Sequence, residues 1–268
     1  MHTHTLYVCS GEDLPVLYRQ HHYHKGSIYC MAWWGDSLLA SGSNDQSIRL
    51  LSYNSQSYSC TPLGQMKIHK GTIRDLVFTS DGLLVSGGVG DSILKISNPE
   101  TGQVVNTMFG HYDQMLSLFM VKENILASGS QDKTVKLWDL RLGQAFATIK
   151  HAHSVTSVAT NVQLNQIASA QLDGSCVIHD LNTLKLISTY NAHSDECRSV
   201  RYGTVGPDQW LLTGSYDGTV CLADARSFEW QEVAQHRDKV VQCRWHGSRP
   251  LFASTGADNR ACFWKLAV

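Results

Sequence analysis

An all-β chain built from six copies of one unit is the fold class this sequence predicts, and three observations carry it. A histidine recurs at intervals of 45, 42, 40, 42 and 43 residues, at His24, His69, His111, His151, His193 and His236. An aspartate follows each by 21 to 24 residues, at Asp45, Asp91, Asp132, Asp173, Asp217 and Asp258. Between these marks run short β-branched and aromatic segments bounded by Gly, Asp, Asn and Ser, which read as strands and hairpins, with no long helical period. The mean interval of about 42 residues is that of a four-stranded blade, so the repeats predict a β-propeller.

Within each unit the elements follow in order. The residues four and seven places after the histidine are apolar or Cys (Ile28/Met31, Ile73/Leu76, Met115/Leu118, Val155/Val158, Cys197/Val200, Val240/Cys243) and predict an inner strand a. Runs such as LLASGSND, ILASGSQD and LLTGSYD form strand b and end at the turn aspartate; strand c follows, and strand d precedes the next histidine. The repeats cover approximately 15–52, 64–97, 102–140, 144–181, 185–225 and 229–266 of a single domain, 1–268, and residues 5–10 read as the remnant of an additional repeat. Two closures are open. In a six-blade ring Val16–His22 completes the last blade; in an incomplete seven-blade propeller, part of a longer protein, residues 5–10 pair with that segment instead.

Composition narrows the function. Twenty-two Lys+Arg against 23 Asp+Glu give a net charge of −1, so no bulk positive field favours nucleic acid or anionic lipid. No stretch approaches 18 apolar residues, and MHTHTLYVCSGED lacks the pattern of a signal peptide, so no membrane insertion is expected. The eight cysteines are scattered without a C-x-x-C pair, as in a soluble protein of a reducing compartment. The 21 glycines are expected to serve the b–c hairpins, which need positive φ.

Trp138-Asp139, Gly110-His111 and the His/Asp spacing resemble the WD-repeat family over residues 5–268. The resemblance implies a buried structural group in each repeat: His111, Ser128, Asp132 and Trp138 in the third, His236, Ser254, Asp258 and Trp264 in the sixth. The first, fourth and fifth keep His24/Ser41/Asp45, His151/Ser169/Asp173 and His193/Thr213/Asp217, with Leu51, His179 and Ala223 at the tryptophan position. Ser86 stands one place further from its aspartate, so a complete group is not expected in the second repeat. These histidines are therefore read as structural, since catalysis would require six equivalent sites. No catalytic, cofactor or metal site is expected: Gly87–Asp91 reads as a β-turn, and His2 and His4, near His21, His22 and His24, sit at a frayed end.

The chain is expected to be no enzyme but a protein-interaction scaffold. In the family, top-face contacts flank the repeat histidine and the turn aspartate; by position these are Lys25, Lys70, Tyr112, Gln131, Tyr216, Arg237 and Lys239. Lys25, Lys70, Arg237 and Lys239 would form a basic sector for an acidic peptide, with Tyr112 and Tyr216 as apolar anchors. HHYHKGSIYC, GTIRDL, ASGSQDKTVKLWDLR, LLTGSYD and DKVVQCRWH also resemble the propellers of the nemitin (WD repeat-containing protein 47) family. That resemblance implies microtubule-associated and minus-end protein partners and a cytoplasmic, cytoskeleton-associated location. A substrate receptor or adaptor in another complex, such as a ubiquitin ligase, is the alternative.

Overall fold

The computed structural model describes residues 6–9, 16–247 and 249–266; His2, His4, Thr5 and Ser10 lie outside them. Among the described residues the chain forms strands and no helix. It gathers into two compact units, Met1–Ile125 with Trp138–Ala145, and Leu126–Leu137 with Phe146–Val268.

In the first unit β1 (Leu6–Cys9) and β2 (Val16–Gln20) form an antiparallel pair with Leu6 opposite Gln20. A four-stranded sheet follows, made in chain order of β3 (Ile28–Trp34), β4 (Leu38–Ser43), β5 (Ile48–Asn54) and β6 (Ser59–Met66). The next holds β7 (Ile73–Phe78), β8 (Leu84–Gly88), β9 (Leu94–Ser97) and β10 (Val104–Met108). The third repeat, whose residues are divided between the two units, supplies β11 (Met115–Lys122), β12 (Ile125–Ser130), β13 (Thr134–Asp139) and β14 (Gln144–Lys150).

The second unit continues the pattern with β15 (Val155–Asn161), β16 (Gln166–Gln171), β17 (Cys176–Asp180) and β18 (Leu186–Tyr190). Then come β19 (Cys197–Val205), β20 (Asp208–Ser215), β21 (Thr219–Asp224) and β22 (Trp230–Gln235). The last sheet has three strands, β23 (Val240–Trp245), β24 (Leu251–Gly256) and β25 (Ala261–Lys265). β2, within the Val16–His22 segment, is hydrogen-bonded to β1, and this last sheet has three strands among the described residues.

The register within each sheet is set by which face is buried. The residue seven places after the histidine lies opposite the hydroxyl residue of strand b: Met31 opposite Ser41, Leu76 opposite Ser86, Val158 opposite Ser169, Val200 opposite Thr213 and Cys243 opposite Ser254. Inner-strand apolar positions are buried from the second repeat on, as at Ile73, Met115, Val155, Cys197 and Val240. The first repeat differs, with Met31 and Trp33 about half exposed.

Successive sheets pack face to face. Ile73 and Leu76 of β7 join Ala40, Ile48 and Leu50 in one cluster, and Val240 and Cys243 of β23 join Leu212, Val220 and Leu222 in another. Strand-b glycines permit the approach: a Cβ on Gly42 would meet Cys30 Sγ and Ile73 Cγ2 at 2.6 Å, and one on Gly214 would meet Cys243 Sγ at 2.6 Å. This corrects the hairpin account of the glycines. Four of the six b–c turns place non-glycine residues at positive φ, Gln46, Ser92, Lys133 and Asn259, while Gly90 (beside Ser92), Gly174 and Gly218 fit the expectation. Asn259 is of a type that favours that conformation in turns.

Side chains also tie consecutive sheets. Asp75 in β7, nearly buried, accepts the Leu118 N–H of β11 at 2.7 Å. Ser157 accepts the Val200 N–H at 3.3 Å, and Ser199 accepts the Cys243 N–H at 3.1 Å. Each stands six places after its histidine, a position sequence reading overlooked although Cys30, Asp75, Ser117, Ser157 and Ser199 mark it.

Candidate protein-interaction site and its supports

Each b–c turn carries its aspartate to one end of the sheet, where the repeat histidine reaches it. In the first repeat His24 Nδ1 lies 3.0 Å from Asp45 Oδ2 and His24 Nε2 lies 2.8 Å from Ser41 Oγ. The Lys25 N–H (2.9 Å) and the Ser47 hydroxyl (2.6 Å) also donate to that carboxylate. Burial opposes its charge, but bonds from Ser47, Lys25 and His24 outweigh it and hold Asp45 well below the usual carboxylate range. The fifth repeat has the same arrangement, with His193 Nδ1 3.2 Å from Asp217 and Nε2 2.9 Å from Thr213 Oγ1. In the sixth, His236 lies 3.1 Å from Asp258 and 2.7 Å from Ser254, whose Oγ accepts the Trp264 indole N–H at 2.8 Å.

The second repeat departs from expectation. His69 Nε2 lies 2.8 Å from Ser86 Oγ and Nδ1 lies 3.0 Å from Asp91, so histidine, serine and aspartate are joined as in the first repeat. Ser86 keeps the 17-residue separation from its histidine found in the first repeat, and the extra residue is taken up beyond β8, where Gly90 and Ser92 have positive φ. In the third repeat the His111 ring lies 5.7 Å from Trp138, and Asp132 accepts the Thr134 hydroxyl at 2.6 Å. The hydroxyl two places after the aspartate (Ser47, Thr134, Ser175, Thr219) is a member the sequence reading missed, although D-x-S/T is visible in the chain.

The fourth repeat is the exception. His151 Nε2 is 3.4 Å from Ser169 Oγ, but Asp173 turns away from it. Its carboxylate takes the Ser175 hydroxyl at 2.7 Å and lies 3.4 Å from His153 Nε2. His179, at the tryptophan position, sits edge-on to His151 at 5.2 Å. Burial, and then the neighbouring His179, push His151 down to about 4.

These Ser–His–Asp sets have the connectivity of a hydrolytic triad. Their hydroxyls are inaccessible, however: Ser41, Ser86, Thr213 and Ser254 are fully buried. A substrate cannot reach a nucleophile so buried, and the sets act as braces for the turns.

The residues around the braces are exposed. Lys25, Lys70 and Tyr112 lie at the turn end of the first unit, with Tyr112 92% exposed, and Gln131, Arg237 and Lys239 are exposed in the second. Tyr216 is only partly exposed, with Lys239 Nζ 4.5 Å from its ring centre and Arg198 Cζ 5.3 Å away. It therefore orients two cations instead of standing as a bare apolar anchor. Arg198, which the sequence reading did not single out, also lies 3.8 Å from Glu196.

Repeated four-stranded sheets, braced turns and an exposed variable rim define a β-propeller binding module. The chain belongs to the WD domain, G-beta repeat family, whose model matches residues 15–52, 102–139, 184–224 and 230–265. Such propellers bind proteins or peptides and are generally not enzymes. Similar proteins include a WD repeat-containing protein 89 homolog of Dictyostelium discoideum, 27% identical over 66% of this chain and 50% of that protein. Protein tipD of the same organism is 26% identical over 90% of this chain and 40% of its own length. A ribosome biogenesis protein WDR12 homolog of Aedes aegypti is 27% identical over 86% of this chain and 60% of its own. The chain thus spans between two fifths and three fifths of these relatives.

Proposed function

We propose that this chain is a non-catalytic scaffold that captures acidic peptide segments of partner proteins at the turn ends of its sheets. The observation that carries the reading is the cation pair held on Tyr216 by Lys239 and Arg198, beside exposed Arg237. Cations fixed on an aromatic ring lose less freedom on binding than free surface lysines. Lys25 and Lys70 occupy corresponding places in the first unit.

A labelled glutamate-rich peptide, followed by fluorescence anisotropy, tests it. Arg237→Glu with Lys239→Glu should weaken binding about tenfold or more, equivalent to about 1.4 kcal/mol, with the far-ultraviolet spectrum and melting temperature retained. Wild-type binding should weaken with added salt. Equal affinity of the charge-reversed chain would overturn the reading.

The finer reading is that the partners are microtubule-associated and minus-end proteins and that the chain works in the cytoplasm on the cytoskeleton. The segments resembling the nemitin family support it. Relatives named for ribosome biogenesis support the general class, in which related propellers serve different assemblies. Affinity capture from cell extract separates the two: minus-end proteins recovered by wild type but not by the charge-reversed chain support the microtubule reading, and ribosome-assembly factors recovered instead overturn it.

A further inference from the structure

We propose that the turn end of the fourth repeat holds a carboxylate-bearing ligand, an aspartate or glutamate side chain of a partner segment, between His151 Nδ1, the Ala152 N–H and His179 Nδ1. The other repeats show what such a site looks like when the chain fills it internally. The turn carboxylate is gripped by the histidine Nδ1 and by the next residue's N–H, donated by Lys25 at 2.9 Å, Ser194 at 3.0 Å and Arg237 at 3.1 Å. In the fourth repeat the same two donors are vacant: neither His151 Nδ1 nor the Ala152 N–H has a partner among the described residues, because Asp173 is engaged by Ser175 and His153.

A second observation points to the same place. Where the sixth repeat has Trp264 bonded to Ser254, this one has the smaller His179. The exchange accompanies a cleft of about 300 Å³ lined by His151, Ala152, His179 and Lys150. His179 is only 8% exposed, and its Nδ1 has no hydrogen-bond partner. A buried ring nitrogen left unmade is unfavourable, and an entering oxygen supplies the missing bond. Lys150, exposed at the rim, adds attraction for an anion, while the Asp173 carboxylate lies 3.4 Å from His153 Nε2. A metal ion is the poorer occupant, since no group of three His, Cys, Asp or Glu among the described residues could hold one.

Burial keeps His151 and His179 neutral, and a bound carboxylate favours their charged forms. Binding should therefore tighten as the pH is lowered from neutrality, with Lys150, His153 and Asp173 the other ionisable groups lining the cleft.

The test needs no protein partner, so it is independent of the reading built on Tyr216. The isotope-labelled full chain is titrated with N-acetylglutamate methylamide while the histidine ring nitrogens and backbone amides are followed by NMR, with inorganic phosphate as a parallel arm. Saturable shifts confined to His151, His179 and Ala152 are expected. They should weaken at least tenfold in His179→Trp, which restores the ring carried by the third and sixth repeats and fills the cleft. His151→Phe should abolish them; if it fails to fold, His179→Trp carries the comparison. Absence of saturable shifts, equal shifts in His179→Trp, or equal affinity for phosphate would each overturn the proposal.

Discussion

Removing one turn carboxylate should destabilise the protein by an amount that depends on which repeat loses it. In Asp45→Ala the carboxylate that accepts His24 Nδ1, the Lys25 N–H and the Ser47 hydroxyl disappears. The His24 side chain is fully buried, and its Nδ1 also lies 3.2 Å from the Ser47 hydroxyl. A charge-assisted bond lost from a buried donor costs about 2–3 kcal/mol, which in a chain of this size lowers the melting temperature by about 5–10 °C. Asp173→Ala removes a carboxylate bonded to Ser175 and to a half-exposed His153, with no buried histidine left behind. That loss is that of a surface pair, about 0–1 kcal/mol, or less than about 4 °C. Differential scanning calorimetry of both variants and the wild type measures the contrast. Equal losses, or a larger one for Asp173→Ala, would refute the inference that Asp173 has left the brace.

Three further outcomes are expected. Gly214→Val places new carbon where Cys243 Sγ and Val240 Cγ1 lie 2.6 and 2.8 Å from the added Cβ; urea unfolding should show a loss of about 1–3 kcal/mol from overpacking, whereas Gly64→Ala, with nothing within 4 Å of the added Cβ, should not clash. Asp75→Ala leaves the Leu118 N–H without its acceptor between β7 and β11; a loss of about 1–3 kcal/mol is expected, with faster hydrogen exchange at Leu118. The third concerns pH. His151 is held at about 4 in the folded chain, against an ordinary value of about 6.5. The unfolded chain therefore binds more protons between these values, and folding stability falls as pH is lowered through that window, by up to roughly 3 kcal/mol. Below it, the lowered carboxyls of Asp45, Asp91 and Asp217 lose their contribution as they protonate. His151→Gln should flatten the upper part of the profile, measured by urea unfolding; an unchanged slope argues against the assignment.

Much of this was legible because the periodic positions each meet one fixed environment. Ile73, Val155 and Val240 recur at a set distance from a histidine because every inner strand presents them to the preceding sheet, and the serines of strand b recur because each faces a histidine ring. Ser86 was misjudged because its distance to Asp91 was counted through a turn, where an extra residue is absorbed without moving the strand. The glycines were misassigned for a related reason: composition reveals how many there are, but only packing shows that Gly42 and Gly214 face a neighbouring sheet.

The sequence by itself determined the repeat length and the all-β class, since both follow from spacing within one strand or hairpin, and its resemblance to the WD-repeat family implied the braces and the positions around them. Tertiary structure decided the pairing of β2 with β1, the Asp75 link between sheets, the cations stacked on Tyr216 and the turning of Asp173 toward His153. Each of these depends on groups brought together across strands or repeats. A carboxylate bonds to whichever donor its local backbone and neighbours place within about 3 Å, and that choice is made in space.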